Sequence, residues 1–396
     1  MRLSVTARQL HGLALSAWLM LSLTLVLSIS NWQVSEASTA FPQTLSDQDW
    51  PQLGHDAHRS NSTDLQVDPP YCYSWKWYEA PIASRIQPVV AAGRLFIGSM
   101  NGLMYARDAS SGAPLWTYET AGSIRATAGV TGETLIFSSH DGNTYALSVS
   151  DGGLRWKVNT GPSVTAPLID ETRGWVYVAS SNGKLSALRI SDGFLEWQTD
   201  SGAPILTSPT LSMDGSKVLT GNEAIFAFAY NASDGTELWL TRLSGQSLAD
   251  RYPVVVGTTV FYRSQPIDYF HNLLFEGDDV MDQAGSVDPD WIQDWNKIRT
   301  QIDQYLSSQQ TKQTMFALDV STGQAAGLPP VLYTYGNNDA PSVPITRAGE
   351  VYLAYRTRHG IQTDGGSVHV TSRYDAELGQ LDMSSFDITG LTLAPA

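Results

Sequence analysis

The apolar residues of this chain gather in short runs, "RLFIGS" from Arg94, "TLIFSS" from Thr134 and "WVYVAS" from Trp175, each closely followed by Asn101-Gly102, Asp141-Gly142 or Asn182-Gly183. Asn-Gly and Asp-Gly between β-rich runs are strong hairpin signals, because a two-residue type I′ turn needs φ > 0 at both positions. The pattern predicts antiparallel strands joined by two-residue turns. A second marker runs in phase with the first: "YARDASSGAPLW", "YALSVSDGGLRW", "SALRISDGFLEW" and "FAYNASDGTELW" end at Trp116, Trp156, Trp197 and Trp239, at steps of 40, 41 and 42 residues. In each, a Gly (Gly112, Gly152, Gly193, Gly235) stands four residues before the Trp and an Ala (Ala106, Ala146, Ala187, Ala229) six residues before the Gly.

A period of about 40 residues with several short strands per unit predicts an all-β fold, a β-propeller of four-stranded antiparallel blades. A single blade cannot bury its faces alone, so blades stack into a ring and need an adhesive contact. The repeated Ala, Gly and Trp suit that contact, a large indole on a bed of small residues. They are the candidate docking residues.

A fifth unit opens with "RYPVVVGTTVFYRS" and continues in "TMFALDVSTG", with Ala317, Asp319 and Gly323 in register and Gly327 at the Trp position. Between the two halves lies an insertion over 266–312. A sixth unit has the strand rhythm but neither the docking Ala nor the Trp. Six blades are counted, with seven or eight as the alternative if the sequence is a C-terminal fragment. Trp75, 41 residues before Trp116, continues the period, so "YCYSWKW" (Tyr71 to Trp77) is a candidate outer strand closing the ring. The organisation predicted is a signal peptide or membrane anchor over 1–40, a lead-in segment with the closing strand over 41–79, the propeller over 80–386, and a tail over 387–396.

The units resemble the pyrroloquinoline-quinone-type (PQQ-like) propeller repeat, whose tryptophan-docking motif is matched as Ala106-x-Asp108-x-x-Ser111-Gly112-x-x-x-Trp116 and its three successors. "WPQLGHDAHRSN", from Trp50 to Asn61, is similar to the lead-in of such propellers. The resemblance implies either a scaffold, as in the lipoprotein of outer-membrane β-barrel assembly, or a quinoprotein dehydrogenase with PQQ and Ca²⁺ at the centre. It also implies, for the dehydrogenases, a disulfide of adjacent cysteines against the quinone.

Composition narrows these. Residues 12–30 carry no charge and follow Arg2 and Arg8, which reads as an export signal or an anchor, and the charge bias places the body outside the cytoplasm. A net charge of −15 argues against nucleic acid as a partner. The chain has one cysteine, Cys72, so it forms neither an intramolecular disulfide nor the adjacent pair, and it offers no lipid-attachment cysteine directly after the apolar segment. Asp151, Asp192 and Asp234 fall at repeated turns and read as turn formers rather than Ca²⁺ ligands. No zinc spacing is present. The acidic stretch from Glu276 to Asp290 reads as a solvated loop. His55, Asp56, His58 and Arg59 form the densest polar cluster and read as packing along the propeller. Gly245-x-Ser247-x-Ala249 lies in a loop between blades and lacks the strand-to-helix context of a nucleophile elbow.

In the insertion, Asp288 and Pro289 make a helix start, and Trp291, Trp295, Ile298, Ile302 and Leu306 step at helical spacing. That face covers the propeller itself or docks a partner, for which Trp291, Trp295, Ile298 and Ile302 are the candidates. The sequence reads as an exported binding or scaffolding module for a protein or cell-envelope component, without cofactor or covalent chemistry. A PQQ-dependent dehydrogenase with Ca²⁺ and a carbohydrate-binding propeller are the alternatives.

Overall fold

The computed structural model describes residues 49–65, 74–84, 86–245, 247–264, 314–327, 329, 343–357, 361–364, 367–370, 375–386 and 388–390. Blade 1 is built from β1 (Val89–Ala91), β2 (Arg94–Gly98), β3 (Leu103–Asp108) and β4 (Pro114–Glu119). Blade 2 follows with β5 (Gly129–Thr131), β6 (Thr134–Ser138), β7 (Asn143–Ser148) and β8 (Leu154–Asn159). Blade 3 holds β9 (Leu168–Asp170), β10 (Trp175–Ala179), β11 (Lys184–Arg189) and β12 (Leu195–Asp200), and blade 4 β13 (Thr210–Leu211), β14 (Lys217–Asn222), β15 (Phe226–Asn231) and β16 (Glu237–Arg242). Blade 5 is β17 (Val254–Val256), β18 (Thr259–Arg263), β19 (Met315–Asp319) and β20 (Ala325–Gly327). Blade 6 is β21 (Ile345–Arg347), β22 (Glu350–Thr357), β25 (Asp375–Leu381) and β26 (Ile388–Gly390), and a hairpin of β23 (Ile361–Asp364) and β24 (Ser367–Val370) interrupts it. Among the described residues there are thus six four-stranded antiparallel sheets, each with its strands in chain order.

The second strand of a blade is buried on both faces, which is why it reads as an unbroken apolar run. In β2, Phe96 points to blade 2 while Leu95 and Ile97 point away from it. In β6, likewise, Ile136 faces blade 3 and Leu135 and Phe137 face blade 1. Outer strands alternate instead, half-buried toward the next blade and exposed on the other side.

The hairpins correct one expectation. Only the Gly of each pair is left-handed, Gly102 at φ +85°, Gly142 at +92° and Gly183 at +88°, and Asn101, Asp141 and Asn182 are not. Ser99 N–H donates to Leu103 O at 3.0 Å and Gly102 N–H to Ser99 O at 3.2 Å, and the same pair of bonds recurs in blades 2 and 3. These are three-residue loops, a type I turn closed by a left-handed Gly. The Asx side chain favours this form because it accepts the N–H two residues on, as Asp141 Oδ1 does from Asn143 at 3.0 Å.

The docking residues lie at the joints between blades. Each Trp is in register with the Ala of its own blade, Ala106 with Trp116, Ala146 with Trp156, Ala187 with Trp197 and Ala229 with Trp239. A bulge beside that pair re-aims the indole toward the next blade. There the ring lies on the following unit's Gly: Trp116 on Gly152, Trp156 on Gly193, Trp197 on Gly235 and Trp239 on Gly323. A Cβ at these glycines would stand 2.5–2.9 Å from a ring atom. The indole N–H donates across the joint to Val149, Ile190, Ala232 and Val320 carbonyls at 3.1, 2.7, 3.1 and 2.9 Å. Trp75 does the same to blade 1, lying on Gly112 and donating to Ala109 O at 3.0 Å.

One expectation about the C-terminal end is corrected. Ile388–Gly390, expected as tail, pairs with Gly379–Leu381 as the outermost strand of blade 6. Of the candidate closing strand "YCYSWKW", Tyr71, Cys72 and Tyr73 lie outside the described residues, residues 74–77 carry no ladder pairing, and Trp75 and Trp77 cover the face of blade 1 that looks away from blade 2. The joint between blades 5 and 6 reverses the size order. Gly327 occupies the Trp position opposite Ala317, and Phe386 occupies the Gly position at φ +61°, donating its N–H to Asp382 O as Gly112 does to Asp108 O. A Cβ on Gly327 would lie 2.1 Å from the Phe386 ring.

Candidate functional site

Residues 49–64 run along the inner rim of the ring as a strap. They touch the innermost strand of every blade in turn. Trp50 exchanges two backbone bonds with Val90, at 2.7 and 3.0 Å, and Val130 N–H donates to Pro51 O at 2.7 Å. Ile169 N–H donates to Gln52 Oε1 at 3.2 Å. Leu211, Val255 and Thr346 N–H donate to the carbonyls of Ala57, His58 and Ser60 at 2.8, 3.2 and 2.8 Å.

Arg59 anchors the strap with a side chain that is 0 % exposed. Its Nε donates to Pro209 O at 3.2 Å, Nη2 to Pro209 O and Pro167 O at 3.1 and 3.3 Å, and Nη1 to Leu53 O at 2.5 Å and Gln52 Oε1 at 3.4 Å. Burial pulls its pKa down to about 10, against the opposing pull of Tyr252 and Asp56, so the group stays protonated at neutral pH. The planar fork suits this cage of carbonyls. Gly54, at φ +67°, lets the strap fold over Arg59: a Cβ there would lie 3.0 Å from the Arg59 Cα. Asp56 shapes the turn by accepting the N–H of His58 at 2.9 Å and of Ser60 at 3.1 Å, and the Ser60 hydroxyl at 2.5 Å. Burial raises the Asp56 pKa, but bonds from His55 and Ser60 and the nearby His58 outweigh it and hold the carboxyl down at about 2. The polar cluster of the lead-in is therefore largely spent on structure. Asn61, the first residue of a glycosylation sequon, donates to Pro344 O at 3.0 Å and accepts the Tyr252 hydroxyl at 2.7 Å.

Between the strap and blades 2 to 4 lies a cavity of about 690 Å³. His55, Asp56 and His58 line one wall, and Asp170, Arg173 and Asp214 line the other. His58 Nδ1 donates to Leu211 O at 3.0 Å, because a carbonyl only accepts. Arg173 pairs with the buried Asp170 at 2.8 Å, and Asp170 also accepts the Tyr177 hydroxyl at 3.1 Å. Hydrogen bonds from Ser212 and Ser216 push the Asp214 pKa down. The wall is acidic and pre-shaped, suited to holding a ligand or partner in place. Sequence reading missed this cavity, since its walls come from positions more than 100 residues apart.

The repeat implies a central quinone and Ca²⁺ in dehydrogenases. Leu53 is buried against Ala166, Tyr252 and Val254, and Arg59 is fully buried beside the inner strands. Among the described residues no three His, Cys, Asp or Glu side chains converge as ligands for Ca²⁺. Asp151, Asp192 and Asp234 accept the N–H groups of Gly153, Phe194 and Thr236 and form turns. The candidate partner residues Trp291, Trp295, Ile298 and Ile302, Cys72, the acidic stretch from Glu276 to Asp290 and the apolar segment 12–30 lie outside the described residues. Among the described residues no helix is long and apolar enough to cross a membrane.

The chain matches the family model described as outer membrane protein assembly factor BamB twice, over residues 73–208 and 197–326. No curated protein matches its sequence. Among solved structures it is similar to BamB from Moraxella catarrhalis, at 15% identity over 72% of this chain and 83% of that one, with a TM-score of 0.38. It is also similar to the quinohemoprotein alcohol dehydrogenase from Comamonas testosteroni, at 12% identity over 78% of this chain and 57% of that one, with a TM-score of 0.53. The second likeness shows a common fold.

Proposed function

Because the chain belongs to the family described as outer membrane protein assembly factor BamB, we propose that it is a binding propeller of the cell envelope, working outside the cytoplasm on a protein partner. The family match over most of the propeller carries this reading. The strap adds to it: the inner rim is taken up by the chain's own residues, with Arg59 caged by carbonyls. Fold alone would not separate a scaffold from a dehydrogenase. The face proposed for the partner is the strap side, where the cavity opens beside the exposed Met213.

Two measurements test this. A calorimetric titration of the folded protein with PQQ, with and without Ca²⁺, is expected to show no binding; tight calcium-dependent one-to-one binding sinks the proposal. A photo-crosslinking residue at Met213 is expected to capture one envelope protein in stoichiometric yield, while the same residue at exposed Leu115, on the outer rim, does not.

A further inference from the structure

We infer that the strap is the clasp that closes the ring. Many rings close by a sheet that mixes strands from both ends of the chain, but none of the six described four-stranded sheets combines strands from the two ends. Among the described residues no ladder joins a strand of blade 6 to a strand of blade 1. The strap ties the two together by bonding each of them. Trp50 holds Val90 of blade 1, and the far end holds blade 6 through Thr346 N–H to Ser60 O at 2.8 Å, Asn61 Nδ2 to Pro344 O at 3.0 Å and Ser62 Oγ to Thr346 O at 2.6 Å. Arg347 adds an ion pair with Asp64 at 3.0 Å, both largely exposed.

The strap's backbone shows that it is held rather than relaxed. His55, Arg59 and Asn61 all lie in the left-handed region, at φ +78°, +61° and +57°. Non-glycine residues stay there only where the surroundings over-determine them. Arg59 supplies that constraint with five donor contacts to Leu53, Gln52, Pro167 and Pro209. Without it the strap relaxes toward ordinary φ values, its carbonyls turn away from the inner strands, and all six blades lose an inner contact together. The clasp is thus a single cooperative unit whose lock is one side chain.

Arg59→Met in the full chain keeps the bulk of the side chain and removes the five contacts. Amide hydrogen exchange read by mass spectrometry is the assay. Expected is exchange about ten- to a hundredfold faster at Val90, Val130, Leu211, Val255 and Thr346 alike, as befits the loss of charge-assisted bonds, with Ala146 and Leu147 in the middle of blade 2 unchanged. Acceleration confined to blades 3 and 4, where the guanidinium sits, overturns the proposal, as does no change. If Arg59→Met fails to fold, Asp56→Asn is read in the same way: it weakens the strap's turn without touching the guanidinium cage. Faster exchange at Val90 and Thr346 together supports the clasp, and change at the neighbouring Leu211 alone overturns it.

Discussion

Replacing Gly327 with Trp and Phe386 with Gly rebuilds, at the joint between blades 5 and 6, the contact that Trp239 and Gly323 make one joint earlier. Phe386 is 7% exposed, so losing its ring costs about 3–5 kcal/mol. Removing its Cβ from φ +61° returns about 1 kcal/mol, leaving a net loss of about 2–4. Gly327→Trp alone forces an indole into the space of a ring that lies 2.1 Å from any new Cβ, and overpacking of this kind costs about 1–3 kcal/mol. In the double variant the Trp has its flat bed again and neither penalty applies in full. Urea unfolding of the parent, both single variants and the pair, followed by tryptophan fluorescence, gives each stability difference from the midpoint at a common slope. The pair is expected to be more stable than the sum of the singles by at least about 2 kcal/mol. Additivity within about 0.5 kcal/mol would falsify the size-exchange account.

Three further outcomes follow from the same geometry. Gly152→Ala is expected to lower the melting temperature well beyond Gly132→Ala, because both glycines have positive φ but only the first would meet a ring, at 2.7 Å from Trp116; equal losses would show that the turn alone matters. Trp75→Phe removes the bond to Ala109 O and is expected to cost about 1 kcal/mol, with Trp75→Ala costing about 3 or more; if the two variants melt alike, the ring packing is unimportant. Asp56 has a folded pKa of about 2, below its ordinary value of about 3.9, so it stabilises the fold above pH 4 and that contribution is lost as pH falls toward 2. Asp56→Asn is expected to flatten this acid limb in melting curves recorded against pH, and parallel curves for the two proteins would refute the assignment.

The repeat was legible because its chemistry is local and repeated. An indole needs a flat bed, so Trp, Gly and Ala recur at fixed spacing, and Trp75 could be placed from the period alone. The hairpin type was misread at Asn101-Gly102 because the dipeptide signal does not say how many residues the loop contains; that depends on whether the Asx side chain caps the residue two positions on. The joint at Gly327 was invisible since its partner, Phe386, took the place of a glycine, and size complementarity between positions 59 residues apart leaves no mark on either alone. The strap was recognisable as a lead-in, but Arg59 binds carbonyls 108 and 150 positions away, and a carbonyl acceptor has no sequence identity at all. The cavity is hidden for the same reason.

The separation between the strap and its last partners also sets an order of events. Ser62 and Thr346 are 284 positions apart, whereas the strands of most blades pair with near neighbours in the chain. Local pairings form first and distant ones last, and a chain made from its N-terminus folds as it emerges. The strap, made before any blade, must then wait for blade 6 before it has a complete rim to lie against. Until it returns, the innermost strands present open edges that another chain could pair with. The slow docking of this early-made segment, rather than the quick formation of hairpins, therefore governs how long each newly made molecule is at risk of misassembly.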